Sequence, residues 1–380
     1  MKFKFYILRD VYLPGAAPIN RMLSFVRGFE EKGLYPEVVF FMPDKHGDKI
    51  DCSLFPHTNF TYMWGSKSFT NAYLKYIGGF FNAIKFRRKL NEGDVVLMLG
   101  NVFPDIICRK KGVRIFHEYT EHPDVVSNYT TPFDNNHKRL LKYCRSASGI
   151  FVISTALKKF FVENGVQPEK VHIVNMTVDY TRFVDLKKSE NREKYIAYCG
   201  TASNNKDGVD ELIKAFAIVH ESHPDYKLYI IGDAPSKKDE SGNAYLVDSL
   251  GLSKHVIFTG RVAPELMPQM LKDAEILALD RPDSLQAQNG FPTKLGEYLL
   301  TENPVVVTKV GDIPLFLEDG KNALLVEERN PREFASKIIW AIGHPVEASI
   351  IGKRGTEVAM KHFNYLRESE KIINILTSVH

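Results

Sequence analysis

Short runs rich in Val, Ile, Phe and Tyr recur along this chain between longer segments whose apolar positions repeat with helical period. That alternation is the mark of βαβ units built around parallel sheets. In the first half the pattern predicts strands at Phe3–Leu8, Glu37–Met42, Val95–Leu99, Val113–His117, Gly149–Ser154 and Val171–Asn175. Helices are expected around Ile19–Glu31, Thr70–Lys89, Asn135–Arg145 and Thr155–Glu163. The second half restarts the rhythm, with strands at Tyr195–Cys199, Lys227–Ile231, His255–Thr259, Glu275–Leu279, Pro304–Thr308 and Ala323–Val326. Between the two rhythms lies Asp185–Lys194, a polar, charged stretch with nothing to bury, which reads as a linker. The expectation is two doubly wound α/β domains in tandem, 1–184 and 185–362, followed by a last helix within 363–380.

Length and composition agree with that division. At 380 residues the chain exceeds the size at which one core usually keeps growing, and its 44% hydrophobic and 25% charged content are globular averages. No stretch approaches the roughly 18 to 20 apolar residues of a membrane span. The opening residues, interrupted by Lys4 and followed by no small-residue cleavage site, read as a first strand instead of a leader. Cys52, Cys108, Cys144 and Cys199 are scattered without a C-x-x-C pair, which argues against a structural zinc site or a disulfide framework and fits a reducing cytoplasm. The net charge of +4 hides an asymmetry: residues 1–180 carry 25 basic against 17 acidic side chains, residues 181–380 carry 25 against 29. A basic first half suits an anionic partner, whether a phosphate-bearing substrate, a nucleic acid or an anionic membrane.

In open α/β sheets ligands bind beyond the carboxyl ends of the strands, so residues just after the expected strands carry the candidate chemistry. The most informative segment is Arg281–Leu300. There a Gly290-Phe291-Pro292-Thr293 turn feeds a helix whose free N–H groups would seat a diphosphate, and Lys294 adds its charge in the first turn. Glu297, one turn on, could accept two hydrogen bonds from vicinal hydroxyls such as a ribose diol. An ordinary helix capped by Thr293 would look the same. A second turn, Gly200 to Gly208, leaves an expected strand with Lys206 as a point charge beside backbone able to approach a phosphate. In the first half, Leu13 to Pro18, with Gly15, is a small-residue loop ahead of a helix containing Arg21. His117, Glu118, Glu121 and His122 cluster at a strand end, where a group of titratable side chains favours chemistry more than a lone histidine would.

The string around Glu297 closely resembles the donor-site segment of retaining GT-B glycosyltransferases of family 4, which show Glu-x7-Glu followed by a Pro-Val-Val strand. Glu297 matches the second Glu, Pro304-Val305-Val306 matches the strand, and Asn289 stands where the first Glu is expected. The wording from Phe291 to Leu299 resembles the branch common among bacterial surface-polysaccharide transferases. The resemblance implies the GT-B architecture, two Rossmann-like domains facing across a cleft, with the last helix, Asn364–Val379, packing back on the N-terminal domain. It also implies that Glu297 binds the nucleotide ribose and that Asn289 and His117 face the transferred sugar, with Glu118, Glu121 and His122 as further candidates. Gly15, Gly200, Lys206, Gly290, Phe291, Pro292, Thr293 and Lys294 would line the donor phosphates. Thr201 occupies the place of an expected Arg, for which Arg261 and Lys294 are substitutes. Phe258 to Val262 would lie by the nucleobase, Val262 stacking on it, and Gly311 to Pro314 is a further match. Front-face attack with retention, the leaving phosphate helping to deprotonate the acceptor, is the implied chemistry.

The implied partners are a nucleotide sugar and a glycan or lipid-linked acceptor, with no cofactor and no nucleic acid. No two aspartates stand two residues apart, so the Asp-x-Asp metal signature of the other main transferase fold is missing and a metal-independent enzyme is expected. Residues 70–90 set Tyr73, Tyr76, Ile77, Phe80, Phe81 and Ile84 at helical spacing beside Lys75, Lys85, Arg87, Arg88 and Lys89. Such a helix suits peripheral contact with the inner face of a plasma membrane, although a core helix with a basic end has the same composition. Competing readings are an epimerase or phosphorylase of the same fold and a nucleotide-sugar-binding protein without catalysis. A dehydrogenase is disfavoured because no Gly-x-Gly-x-x-Gly follows an early strand.

Overall fold

The computed structural model describes residues 4–10, 12–13, 15–41, 49–63, 72–100, 103–108, 110–127 and 137–378, with the side chains of 72–76 and 137 excepted. Phe3, Pro14, Met42, Thr70, Asn135, Asn136 and Val379, and the side chains of Tyr73, Lys75 and Tyr76, therefore lie outside the described residues. The chain divides into two compact units, Met1–Thr177 with Tyr365–His380, and Val178–Asn364.

Among the described residues the first unit holds seven strands: β1 (Phe5–Arg9), β2 (Glu37–Phe40), β3 (Asn59–Tyr62), β4 (Val95–Leu99), β5 (Arg114–Tyr119), β6 (Gly149–Val152) and β7 (Val171–Ile173). They form one parallel sheet in the order β3-β2-β1-β4-β5-β6-β7. Alternate residues of β1 serve opposite faces. Phe5 and Ile7 pack with Phe25, Phe29, Ile372 and Leu376 of the helices Ala17–Glu31 and Tyr365–Ser378. Tyr6 and Leu8 pack with Ala83 and Phe86 of the helix Ala72–Lys89 on the other side. Burial on both faces is why these strands read as unbroken apolar runs. The strand β3 escapes that signal: it is an edge strand of four residues, with Asn59 exposed and the rest half-buried.

The last helix docks on the helix Ala17–Glu31 at a small-residue contact. A Cβ built on Gly28 would stand 2.2 Å from Ser369 Oγ, 2.7 Å from Ser369 Cβ and 3.2 Å from the carbonyl of Tyr365. Tyr365 donates to Glu31 Oε1 at 2.7 Å, and Glu368 accepts from the Asn175 N–H at 2.7 Å.

The second unit repeats the plan with β8 (Tyr195–Cys199), β9 (Lys227–Ile231), β10 (Val256–Gly260), β11 (Ile276–Leu279), β12 (Val305–Thr308) and β13 (Leu324–Val326). These described strands form a parallel sheet in the order β10-β9-β8-β11-β12-β13. The segment Asp185–Lys194 is not the solvated linker that its composition suggests. Ser189 donates to Asp273 from its N–H at 2.7 Å, Lys188 and Arg192 both grip Glu275, and Arg192 Nε donates to the Asp273 carbonyl at 3.0 Å. The division between units falls earlier, at Thr177 and Val178, where the Val178 N–H donates to the Phe363 carbonyl at 2.8 Å. Charge in a run marked the segment as polar; it did not show that the partners lie about eighty residues away on the strand β11 side.

Gly28→Ala is expected to lower stability by about 1–3 kcal/mol, because the added carbon must push two packed helices apart. Adding Ser369→Gly should recover part of the loss despite its own helix cost of about 1 kcal/mol. Thermal melts followed by far-ultraviolet circular dichroism measure both effects.

Candidate functional site

The topology of each sheet reverses beside its first strand, between β1 and β4 and between β8 and β11, and such switch points are where open parallel sheets bind ligands. In the second unit the neighbouring strands β8, β9 and β10 end in glycines with left-handed or open backbone, Gly200 (φ 141°), Gly232 (φ 130°) and Gly260 (φ 64°), of which Gly200 stands at the switch point. A Cβ on Gly232 would meet the Gly200 carbonyl at 2.2 Å, and a Cβ on Gly200 would meet Lys294 Nζ at 2.3 Å. Gly200, after β8, has no room for a side chain because the Lys294 ammonium fills it, and Gly232, after β9, has none because the Gly200 backbone does.

That ammonium comes from the helix Thr293–Leu300, which starts after Pro292 with no side-chain cap. Lys294 Nζ lies 2.5 Å from Asp207 Oδ2 and 2.9 Å from the Tyr198 hydroxyl, and 4.4 Å from the centre of the Tyr198 ring. Tyr198 in turn donates to Asp207 at 2.8 Å and lies 2.6 Å from the Thr201 carbonyl, and Arg281 Nε stands 3.9 Å from Asp207 Oδ1. Burial alone would push the Asp207 carboxyl up; Lys294 and Arg281, with the Lys294 and Tyr198 hydrogen bonds, outweigh it and hold it below the usual carboxylate range. Burial lowers the Lys294 pKa, opposed by Asp207. The segments Gly200–Gly208 and Gly290–Glu297 thus meet through one ion pair.

The other candidates of this unit fall into three groups. Glu297 lies on the helix of Lys294, and its Oε1 accepts from Arg182 Nη1 at 2.7 Å; burial raises its pKa and Arg182 opposes the rise. Lys206 is exposed at the end of the short helix Asn204–Asp207, whose start is capped by Ser203, while Arg261 is exposed and Val262 half-buried after β10. Asn289 and Phe291 point to packing. Asn289 is buried and donates to the Leu285 carbonyl at 2.9 Å, closing the helix Leu285–Asn289. Phe291 is buried against Phe316 and Phe363, with ring centres 5.5 and 5.2 Å away, so it anchors the turn and offers no free ring face to a ligand. Gly290 and Pro292 are buried with it, and Thr293 is half-buried at the helix start.

In the first unit His117 is buried on β5, with Nε2 3.8 Å from Cys108 Sγ and its ring stacked on Tyr119; burial pushes its pKa down to about 4 and leaves it neutral. Glu118, the next candidate on this strand, is held by an arginine. Its Oε1 accepts from Arg21 Nε at 3.0 Å, and Arg21, itself buried, also donates to the carbonyls of Asn175 and Val174. The pair ties a helix across the strand ends, an architectural use that local spacing does not reveal. His122 accepts from the Asp124 N–H at 3.2 Å and packs on Phe160, which starts the helix Pro123–Ser127. Glu121 is half-buried. Gly15 sits in the loop before the helix Ala17–Glu31 with φ 73°.

Residues 193–344, within the second unit, match the family described as Glycosyl transferases group 1. Around that region the chain is 22% identical over 251 residues to a poly(ribitol-phosphate) alpha-N-acetylglucosaminyltransferase of Staphylococcus aureus, covering 66% of this chain and 48% of that protein. The chain spans about half the length of the curated relatives it matches. Among solved structures, HepE of Anabaena in complex with UDP and glucose matches with a TM-score of 0.76 at 17% identity, covering 99% of this chain and 100% of that one. A TarM variant of S. aureus in complex with Fondaparinux, alpha-GlcNAc-glycerol and UDP matches at 0.73 and 13%, covering 100% of each chain. The fold is GT-B: two parallel-sheet α/β domains with open sheets.

Four residues of the second unit went unread in the sequence: Tyr198, Asp207, Asp280 and Arg182. Tyr198 and Asp207 flank the Gly200 turn, and an aspartate next to a lysine in a loop gives no sign of whom it pairs with. Asp280 ends β11, is 2% exposed, and its Oδ2 has no hydrogen-bond partner. In the first unit Arg9 was passed over too; its Nη1 donates to the Leu99 carbonyl at 2.8 Å, spanning the switch point between β1 and β4.

Burial, then Glu211, Asp210 and Glu328, push the Asp280 carboxyl from 3.8 up to about 7. The folded state therefore holds a proton that the unfolded state has released between those values, and stability falls as pH rises through that window. Above it the ionised carboxylate is a constant penalty on the order of 4 kcal/mol. Asp280→Asn removes the titration, so its melting temperature should rise relative to the unsubstituted protein from pH 5 to pH 8; a gap that stays constant across those pH values would show that Asp280 does not titrate in that range.

Proposed function

We propose that this protein is a glycosyltransferase moving a sugar from a nucleoside diphosphate onto a glycan or lipid-linked acceptor, with retention of configuration and without a metal ion, in surface-polysaccharide synthesis. The observation that carries the reading is the Lys294 ammonium held over the Gly200 turn by Asp207 at the switch point of the second unit. The Lys294 ammonium, with Lys206 exposed nearby, supplies positive charge there, joined by the uncapped start of the helix Thr293–Leu300. A pyrophosphate is the anion such a place suits, because backbone N–H groups and fixed cations meet its charge without a divalent ion. Glu297 is the group proposed for the ribose, and Val262 for the base. The complexes of HepE with UDP and glucose, and of TarM with UDP and alpha-GlcNAc-glycerol, support a uridine nucleotide sugar and a glycosylated alcohol as the chemical classes to test.

In the proposed reaction the bond from the sugar's anomeric carbon to the leaving phosphate oxygen breaks as one to the acceptor oxygen forms on the same face. The acceptor's proton passes to the departing phosphate. No carboxylate need act as nucleophile, which accords with Asn289 in place of an acid and with Glu118 committed to Arg21. His117, kept neutral by burial, is suited to a hydrogen bond with a sugar hydroxyl.

The same reading extends to a cytoplasmic location at the membrane face. Among the described residues no helix is long and apolar enough to cross a membrane. The helix Ala72–Lys89 instead exposes Ile77, Phe80 and Phe81, then Lys85, Arg88 and Lys89, along one stripe, while Ala83 and Phe86 face the core and Ile84 is half-buried. An apolar end beside a basic end suits shallow insertion into an anionic bilayer and a lipid-linked acceptor.

Thermal-shift measurements with UDP, GDP and ADP should show stabilisation by at least one of them, without added metal. Lys206→Ala should weaken that nucleotide about three- to tenfold and the charge-balanced double variant Asp207→Asn with Lys294→Met by tenfold or more. No response to any nucleoside diphosphate would end the proposal.

For the membrane face, flotation with phosphatidylglycerol vesicles at low ionic strength should carry the protein upward. Binding should be lost on replacing Phe80 and Phe81 by Ser and should weaken with salt.

A further inference from the structure

We propose that Arg182 is the positioning residue of the nucleoside subsite, presenting the Glu297 carboxylate to a ribose diol while holding the loop after β10 in place; this rests on the role of Glu297 proposed above. Arg182 closes the short helical turn Tyr180–Arg182, near the start of the second unit. Asp179 fixes that turn by accepting from the Thr181 N–H and hydroxyl at 3.1 and 2.5 Å. From there the guanidinium reaches two elements that are far apart in sequence. Its Nη1 donates to Glu297 Oε1 at 2.7 Å, and its Nη2 donates to the Pro264 carbonyl at 2.8 Å.

Those two acceptors belong to the pieces of the second unit that carry the candidate nucleoside contacts. Glu297 lies on the helix that begins at Thr293, and Pro264 follows Arg261 and Val262. A planar fork with donors at a fixed spacing therefore sets one piece against the other, which a flexible ammonium with a single centre does not do. Because Arg182 takes Oε1, Oε2 is the oxygen left to accept from a ligand hydroxyl, and the carboxylate is turned before any ligand arrives. The pair is also only partly exposed, with side chains 32% and 26% accessible, so its orientation is not averaged by solvent as a fully exposed pair's would be. An arrangement of this kind acts on ribose recognition through Glu297 and makes no contact with the diphosphate.

Calorimetric binding of UDP and 2′-deoxy-UDP to the full chain tests this, with GDP or ADP and its deoxy counterpart used instead if that nucleotide gives the larger thermal shift. The unsubstituted protein should prefer the ribonucleotide about tenfold, the scale of one or two hydrogen bonds. In Arg182→Met the ribonucleotide should weaken about tenfold to the level of the deoxynucleotide, whose own affinity stays the same, so that the preference disappears. Arg182→Lys, which keeps the charge and loses the fork, should retain only part of the preference and guards against a Met variant that folds poorly. A tenfold preference surviving in Arg182→Lys and Arg182→Met overturns the inference and leaves the donor reading intact. Binding without any ribose preference in the unsubstituted protein removes the Glu297 role and this inference together, while the pyrophosphate seat stands. No binding of any nucleoside diphosphate removes both readings.

Discussion

A lysine ammonium placed against a glycine turn at the end of a parallel sheet loses most of its water, and it stays charged there only with an anion beside it. In the second unit that anion is Asp207, and the pair with Lys294 joins a loop leaving the central strand to a helix 87 residues further on. Much of the local structure answers to this pair. Gly200 has no room for a side chain because of it, Tyr198 is buried so that its hydroxyl can bond both partners, and Arg281 completes the neutralisation of Asp207. Removing either member alone would leave a buried charge unmatched, which is the expensive outcome for such pairs.

The two units use the same sheet topology and spend their charges differently. In the first, the ionic groups at the strand ends are consumed internally: Arg21 holds Glu118 and two carbonyls, and Arg9 bonds the strand beside it. In the second, the Lys294–Asp207 pair lies against the Gly200 turn with Arg281 beside it, and Lys206 is exposed at the edge. That contrast is why the donor reading rests on the second unit, where the glycosyl transferases group 1 match also falls. It also reverses the bulk charge, since the first half of the chain is the basic one. Net charge by halves describes the surface as a whole, whereas binding depends on which charges stand at the strand ends.

Strands buried on both faces were legible because their whole length is apolar, and the runs Val95–Leu99, Tyr195–Cys199 and Lys227–Ile231 agree with the observed bounds. The edge strand β3 was not, because a half-exposed four-residue strand has the composition of a loop. Glycine, proline and helix-start signals marked the Gly200 turn and the helix start at Thr293 one by one, and only the family resemblance suggested that the two approach each other. What Phe291 and Glu118 do was not foreseeable: one is packed among aromatics from other elements, the other is bound by an arginine 97 residues away.

By itself the sequence determined the class of fold, because periodicity is a local property that each strand and helix carries in its own residues. It also marked the turns where backbone can approach an anion, since only glycine takes those dihedral angles cheaply. Only the tertiary structure decided which charged groups remain for a ligand. Arg182 meets Glu297 across 115 residues and Lys188 meets Glu275 across 87. Ion pairs form wherever the folded chain brings opposite charges within a few ångströms, and no spacing along the sequence encodes that approach.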